Sequence, residues 1–462
     1  MSTRDEGGGK APRNIEEALV QYQDAIERDP KNAALHHDLG VILMEKGEYV
    51  EAIAALERAL MLQPDLTNAR HLLGVALAEN GDLDGARKNW EKVIKREPKH
   101  SRALYFLGWV HRFRGEWDRA IELLERAARI PPVSSQVYHT LAEAYVGKGD
   151  VESAIALWRD IIEEDPEDLR AHHNLCAALL DARLYEECIG AAREAIKKGS
   201  ESTVPRSNAA LALLVLGQLD EAERFMREAL QIDPEDARAR VNLGEILARR
   251  GDLDGAECEW ERVLQREPKN PDAHFNLGQA ALIREKPERA LQWWERGLEA
   301  ISGGPEAIRD YYGDRFHIMR SEVYRETGDY QKAIEEQLQV KGSDAASTHY
   351  RAALLALEAG STDRCRELLA RARELAPGKH LGITFARGAL EIEEGEYAAG
   401  AGRWREVLEA EPDAALALRP YVGALFPPDK LDEVAEELKR MGREKESRAI
   451  RTFRTALRPE EE

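Results

Sequence analysis

A chain of 462 residues is long enough for several globular domains, but only 6% of it is aromatic, and Ala, Leu, Glu and Arg dominate, a composition that favours helix. A formal charge of −20, from 86 acidic against 66 basic residues, argues against nucleic acid or an anionic lipid surface as the main partner. The four cysteines match no metal spacing, the first residues lack a signal-peptide core, and no apolar run nears the ~20 residues of a membrane span, so a cytoplasmic protein without a membrane span is expected.

In chain order, residues 1–14 read as a disordered polar tail and 15–301 as a regular array, a half repeat followed by eight units. Pro30, Pro64, Pro98, Pro132 and Pro166, then Pro234 and Pro268, stand on one 34-residue beat, with Ser200 and Ser302 at the remaining positions. Gly47, Gly81, Gly115, Gly149, Gly217 and Gly251 share the period, each followed by an acidic or polar residue. A helix ends readily on a glycine at positive φ, and Asp caps the start of the next helix. Each unit therefore reads as a first helix, a tight turn, a second helix, and a loop where proline stops it.

Two columns of small residues complete the pattern. Place eight holds Gly40, Gly74, Gly108, Ala142, Cys176, Ala210, Gly244 and Gly278; place twenty holds Ala52, Ala86, Ala120, Ala154, Cys188, Ala222, Ala256 and Ala290. Two helices approach closely only where both side chains are small, so these columns mark the contact inside each hairpin. Four residues later come Leu56, Trp90, Leu124, Trp158, Met226, Trp260 and Trp294, whose phase assigns them to the core. Cys176 and Cys188 fall at one such contact and read as apolar fillers.

The regular beat breaks at 302–313, expected to be a linker or insertion. Three looser units follow over 314–414, then terminal helices and a basic tail over 415–462, where Lys439 to Arg458 gathers eight cations against Glu444 and Glu446. A capping helix is the plain reading of that tail, and a basic docking segment the sharper one.

The 34-residue period, the Leu-Gly pairs at Leu39-Gly40, Leu73-Gly74, Leu107-Gly108, Leu243-Gly244 and Leu277-Gly278, the Ala column and the closing prolines together resemble the tetratricopeptide repeat (TPR) family. The resemblance spans roughly residues 16–415. It implies an all-α, right-handed superhelical solenoid of about eleven helix-turn-helix units with a C-terminal capping helix. It further implies a non-catalytic scaffold that binds an extended or amphipathic protein segment on a concave face lined by the first helices.

Place six of units five to eight holds Asn174, Asn208, Asn242 and Asn276. An amide offers both a donor and an acceptor, so such a column can pair with the backbone of an extended ligand. It is similar to the asparagine ladder in the superhelix of O-linked N-acetylglucosamine transferase; family consensus at this place is the competing reading. Place five of units one to five holds His37, His71, Tyr105, His139 and His173, rings suited to a contact surface and spaced too widely to share a metal ion. Place nine carries Val41, Val75, Trp109, Glu143, Ala177 and Leu211, with Trp109 and Leu211 as candidate apolar anchors or, equally, packing residues. No Gly-rich loop follows a strand, and no nucleophile–base pair or metal-binding helix motif stands out, so no enzyme and no cofactor is expected. Self-assembly into a homo-oligomer through end-to-end contacts is the alternative, and service as a regulatory subunit of a separate enzyme a third.

Overall fold

A computed structural model describes residues 15–342 and 344–457. The polar segment 1–14 and the last basic residue, Arg458, lie outside the described residues. Among these there are 27 helices and no strand. They divide into two compact units, one ending at Glu235 and the other beginning at Asp236.

In the first unit α1 (Ile15–Arg28) is the half repeat. Three hairpins follow: α2/α3 (Ala33–Lys46, Tyr49–Leu62), α4/α5 (Thr67–Glu79, Leu83–Arg96) and α6/α7 (Ser101–Phe113, Trp117–Ala128). Three more complete it: α8/α9 (Ser135–Lys148, Val151–Glu164), α10/α11 (Leu169–Asp181, Tyr185–Lys197) and α12/α13 (Thr203–Val215, Leu219–Ile232).

The second unit opens with α14/α15 (Ala237–Arg249, Leu253–Arg266) and α16/α17 (Pro271–Ile283, Pro287–Ile301). Next are α18/α19 (Glu306–Glu326, Tyr330–Gln337), α20/α21 (Ala345–Glu358, Thr362–Leu375) and α22/α23 (Leu381–Glu393, Tyr397–Ala410). Short α24 (Ala414–Ala417) and α25 (Arg419–Leu425) lead to a closing hairpin, α26/α27 (Pro428–Arg440, Glu444–Ala456).

The turn glycines adopt the left-handed conformation, with φ of 82° at Gly47 and 88° at Gly81, Gly149 and Gly251. Asp82 and Asp252 then cap the next helix by accepting from Gly85 N and Gly255 N, at 2.8 and 2.9 Å. Repeats five and eight lack the glycine, and Arg183 (φ 60°) and Glu285 (φ 56°) take the same conformation against the usual preference of L-residues.

Place eight and place twenty-four form one device. Trp90 lies against Gly74 and donates its indole N–H to the His71 carbonyl (3.1 Å); Trp260 reaches the Val241 carbonyl over Gly244, and Trp294 the Phe275 carbonyl over Gly278. Trp404 repeats the arrangement over Gly388 with the Phe385 carbonyl, in a repeat whose other markers have faded. In repeat four Ala142 replaces the glycine, and Trp158 Nε1 is buried without a hydrogen-bond partner.

Residues 306–313 are helical and lengthen α18 to 21 residues, so the insertion at 302–313 becomes a Ser302–Pro305 turn plus extra helix. Its core is continuous across that point, with Phe316 on α18 packed with Trp294 and Ile301 of α17. The closing hairpin caps the second unit: Phe453 on α27 sits 4.6 Å, ring to ring, from Trp404, while Arg451 and Arg454 of the basic stretch pair with Glu436 and Asp432 on α26.

Candidate functional site

The first helices of the first unit present a mixed strip. Trp109 on α6 is half-buried and stacks on Phe113 one turn later, ring centroids 6.0 Å apart, and Phe113 is 65% exposed. The same two places on α12 hold half-buried Leu211 and exposed Val215. Between them the strip turns polar. Glu143 on α8 receives Arg170 Nη2 of α10 at 2.7 Å and pairs with Arg112 of α6 at 3.3 Å, and Arg170 Nη1 also reaches Gln136 at 2.8 Å. Exposed apolar ends flanking an internally satisfied ionic bridge suit a ligand with apolar anchors.

Phe113 and Val215 escaped the sequence reading, although their spacing of four from Trp109 and Leu211 places them on the same helix face.

The four asparagines are all half-buried. Asn208 leans back onto the preceding repeat and bonds the Cys176 thiol. Asn174 in the same unit, and Asn242 and Asn276 in the second, keep their amides unengaged by other side chains among the described residues.

The place-five rings turn inward, which corrects the expectation of a contact surface for two of them. His71 and His139 are each only 3% exposed, because each reaches forward onto the N-terminal end of the next first helix. His139 Nε2 lies 2.9 Å from Asp168 Oδ2, and Asp168 itself caps α10 by accepting from Ala171 N. His71 packs its ring 5.0 Å from His100, the N-cap of α6, and 5.6 Å from Phe106. Burial, reinforced by His100 and Arg102, lowers its pKa from 6.5 to about 4. Half-buried His173 bonds Ser200 Oγ at 2.7 Å, and His37 accepts from Asn68 Nδ2 at 3.1 Å. Tyr105 is half-buried against its neighbour Phe106. The four histidines of the column therefore tie their repeats to the next.

Cys176 and Cys188 are buried with Sγ atoms 3.5 Å apart. The neighbouring Cys188 thiol and burial push the Cys176 thiol up, away from the reactive thiolate. Among the described residues no cluster of His, Cys, Asp and Glu is placed to hold a metal, and no helix is long and apolar enough to cross a membrane.

Tandem helical hairpins, each closed by a small-residue contact and joined to the next by side chains at fixed places, define a helical-repeat protein. Tetratricopeptide repeat models match residues 11–75, 71–135, 114–179, 207–267 and 259–305, more than half of the chain. The chain belongs to the tetratricopeptide repeat family, whose members are protein-interaction scaffolds and generally non-catalytic.

Among solved structures the chain is similar to a tetratricopeptide repeat protein from Parabacteroides merdae, at 18% identity and TM-score 0.45, covering 53% of this chain and 96% of that one. It is also similar to yeast Tom70, at 14% identity and TM-score 0.44, covering 82% and 93%. A third is MamA, at 18% identity and TM-score 0.33, covering 35% and 95%. No curated protein matches the chain.

Proposed function

We propose that the chain is an adaptor that takes an extended or amphipathic segment of a protein partner along its first helices. The Trp109–Phe113 stack is the apolar anchor in the first unit. The observation that supports this reading most is the exposure of Phe113. A large aromatic left 65% in water, stacked on a half-buried indole, adds little to the fold and offers a partner a ready hot spot. Leu211 and Val215 provide a second apolar contact on α12. In the first unit Asn174 offers its amide to a ligand backbone, and Asn208 joins it by releasing Cys176; in the second unit Asn242 and Asn276 offer the same pairing to backbone lying there. His37, His173 and Tyr105 border the strip.

Photo-crosslinking tests this directly. A benzophenone amino acid at position 113 should capture a protein from the native lysate that the same group at Met61, 67% exposed on second helix α3, does not. Trp109→Ala should abolish the adduct. Identical adducts from positions 113 and 61, or an adduct untouched by Trp109→Ala, would remove the anchor from this strip.

A further inference from the structure

The second unit holds a cleft of about 730 Å³ between α21 and α22, bordered by α23, built from different repeats than the anchor strip. Its floor is apolar, with Leu369 from α21 and Ile383 and Leu390 from α22. Its walls are basic: Arg366, Arg373, Lys379, Arg387 and Arg403 set five permanent cations against Glu391, Glu394 and Glu396. In a chain of net charge −20 this local reversal of sign stands out.

Two of those carboxylates are already matched. Glu391 is buried and held by Arg403 Nε, 2.8 Å from each oxygen, and by Arg387 Nε at 3.2 Å. Glu394 receives Arg366 at 2.6 Å, and Arg366 is also held by Asp363 on its own helix. Arg373 and Lys379 are exposed and make no ion pair among the described residues, so two cations face the opening against one exposed carboxylate, Glu396, that is likewise in no ion pair. Arg387 and Arg403 share the single carboxylate Glu391, which holds both guanidinium planes against the walls and leaves the pair with one unmatched positive charge.

We infer that this cleft is a second docking site, for an acidic peptide segment of a partner that seats one aliphatic side chain on Leu369, Ile383 and Leu390 and sets flanking carboxylates against Arg373 and Lys379. The apolar floor favours a peptide over a small inorganic anion, which would leave it empty. The excess of cations selects acidic sequence, and the protein's overall negative charge repels acidic chains elsewhere on its surface.

Panning a random dodecapeptide phage library on the full chain and on R373E/K379E tests the inference. Both side chains are exposed, so the variant keeps the wild-type circular dichroism spectrum. The wild type should enrich a class in which Asp or Glu flanks Leu, Ile or Val, and the variant should not. A fluorescein-labelled peptide of that class should bind R373E/K379E roughly tenfold or more weakly, while binding R373K/K379R and W109A/F113A as it does wild type. Retention by W109A/F113A separates this site from the anchor strip. Enrichment of the same sequences on wild type and R373E/K379E would overturn the assignment, as would enriched sequences without carboxylates or equal binding of polyglutamate.

Discussion

Gly74→Ala should be among the most damaging single-methyl additions this chain can receive. A Cβ on residue 74 would stand 2.5 Å from Trp90 Nε1, 2.7 Å from Cε2 and 2.9 Å from Cδ1, where ordinary contact begins near 3.4 Å. The indole must retreat by about 1 Å to restore van der Waals distance. It has nowhere open to go, since Trp90 is fully buried and stacked on Phe106 at 5.2 Å and 15°. Retreat stretches the 3.1 Å bond to the His71 carbonyl beyond hydrogen-bonding range and leaves a buried N–H unpaired.

That loss costs about 1–3 kcal/mol and the overpacking about 1–3 kcal/mol more, while replacing glycine within a helix returns about 0.5–1 kcal/mol. The net expectation is a destabilisation of about 3 kcal/mol. Urea unfolding followed by circular dichroism, with hydrogen exchange of the α4 and α5 amides as a local readout, measures it without requiring the whole array to unfold in one step. Ala142→Gly is the converse. It opens room over which Trp158 can seat its indole N–H, a bond worth about 1 kcal/mol against a similar loss of helix propensity. It should leave stability within about 1 kcal/mol of wild type while shifting the Trp158 indole ¹⁵N–¹H resonance downfield. Unchanged α4/α5 protection in Gly74→Ala would refute the steric argument.

Three further outcomes follow from particular residues. His71 is held neutral with its pKa lowered to about 4, so the unfolded chain takes up its proton first as pH falls; stability is full above pH 6.5, declines between 6.5 and about 4, and changes no further below that on account of this group. That linkage amounts to about 3 kcal/mol, and His71→Gln should flatten the corresponding limb of a stability-versus-pH curve. Of the four cysteines only Cys258 is exposed, so Ellman's reagent should titrate one thiol rapidly in the folded protein and four after denaturation; fast reaction of Cys176 or Cys188 would contradict their packing. Arg183→Gly and Glu285→Gly should each raise stability by up to about 1 kcal/mol, by relieving left-handed strain at turns whose counterparts carry glycine, and a lower urea midpoint for either would refute the strain.

The period made the hairpins legible, because proline stops, left-handed glycines and small-residue contacts each impose a local backbone requirement that only a few residues meet. The function of a column is a different matter. His37, His71 and His139 share a repeat place and each reaches the helix start of the next repeat, yet no spacing rule in the sequence announces a contact made across 29 to 31 residues or separates it from a ring left open to a ligand. The Asn column has the same ambiguity: Asn208 is diverted because its neighbour at place eight is Cys176, whose thiol can take a hydrogen bond that a glycine or alanine could not. Phe113 was within reach, since it lies one turn beyond Trp109. The basic cleft was not. It is built from residues of two divergent repeats beyond the break at 302, where sequence register no longer says which side chains meet, and its character depends on which cations are already matched by Glu391 and Glu394. In a repeat protein the scaffold is written in what recurs, and binding is to be sought in what departs from it. The exposed aromatic stack of one repeat and the unpaired Arg373 and Lys379 of another are both such departures.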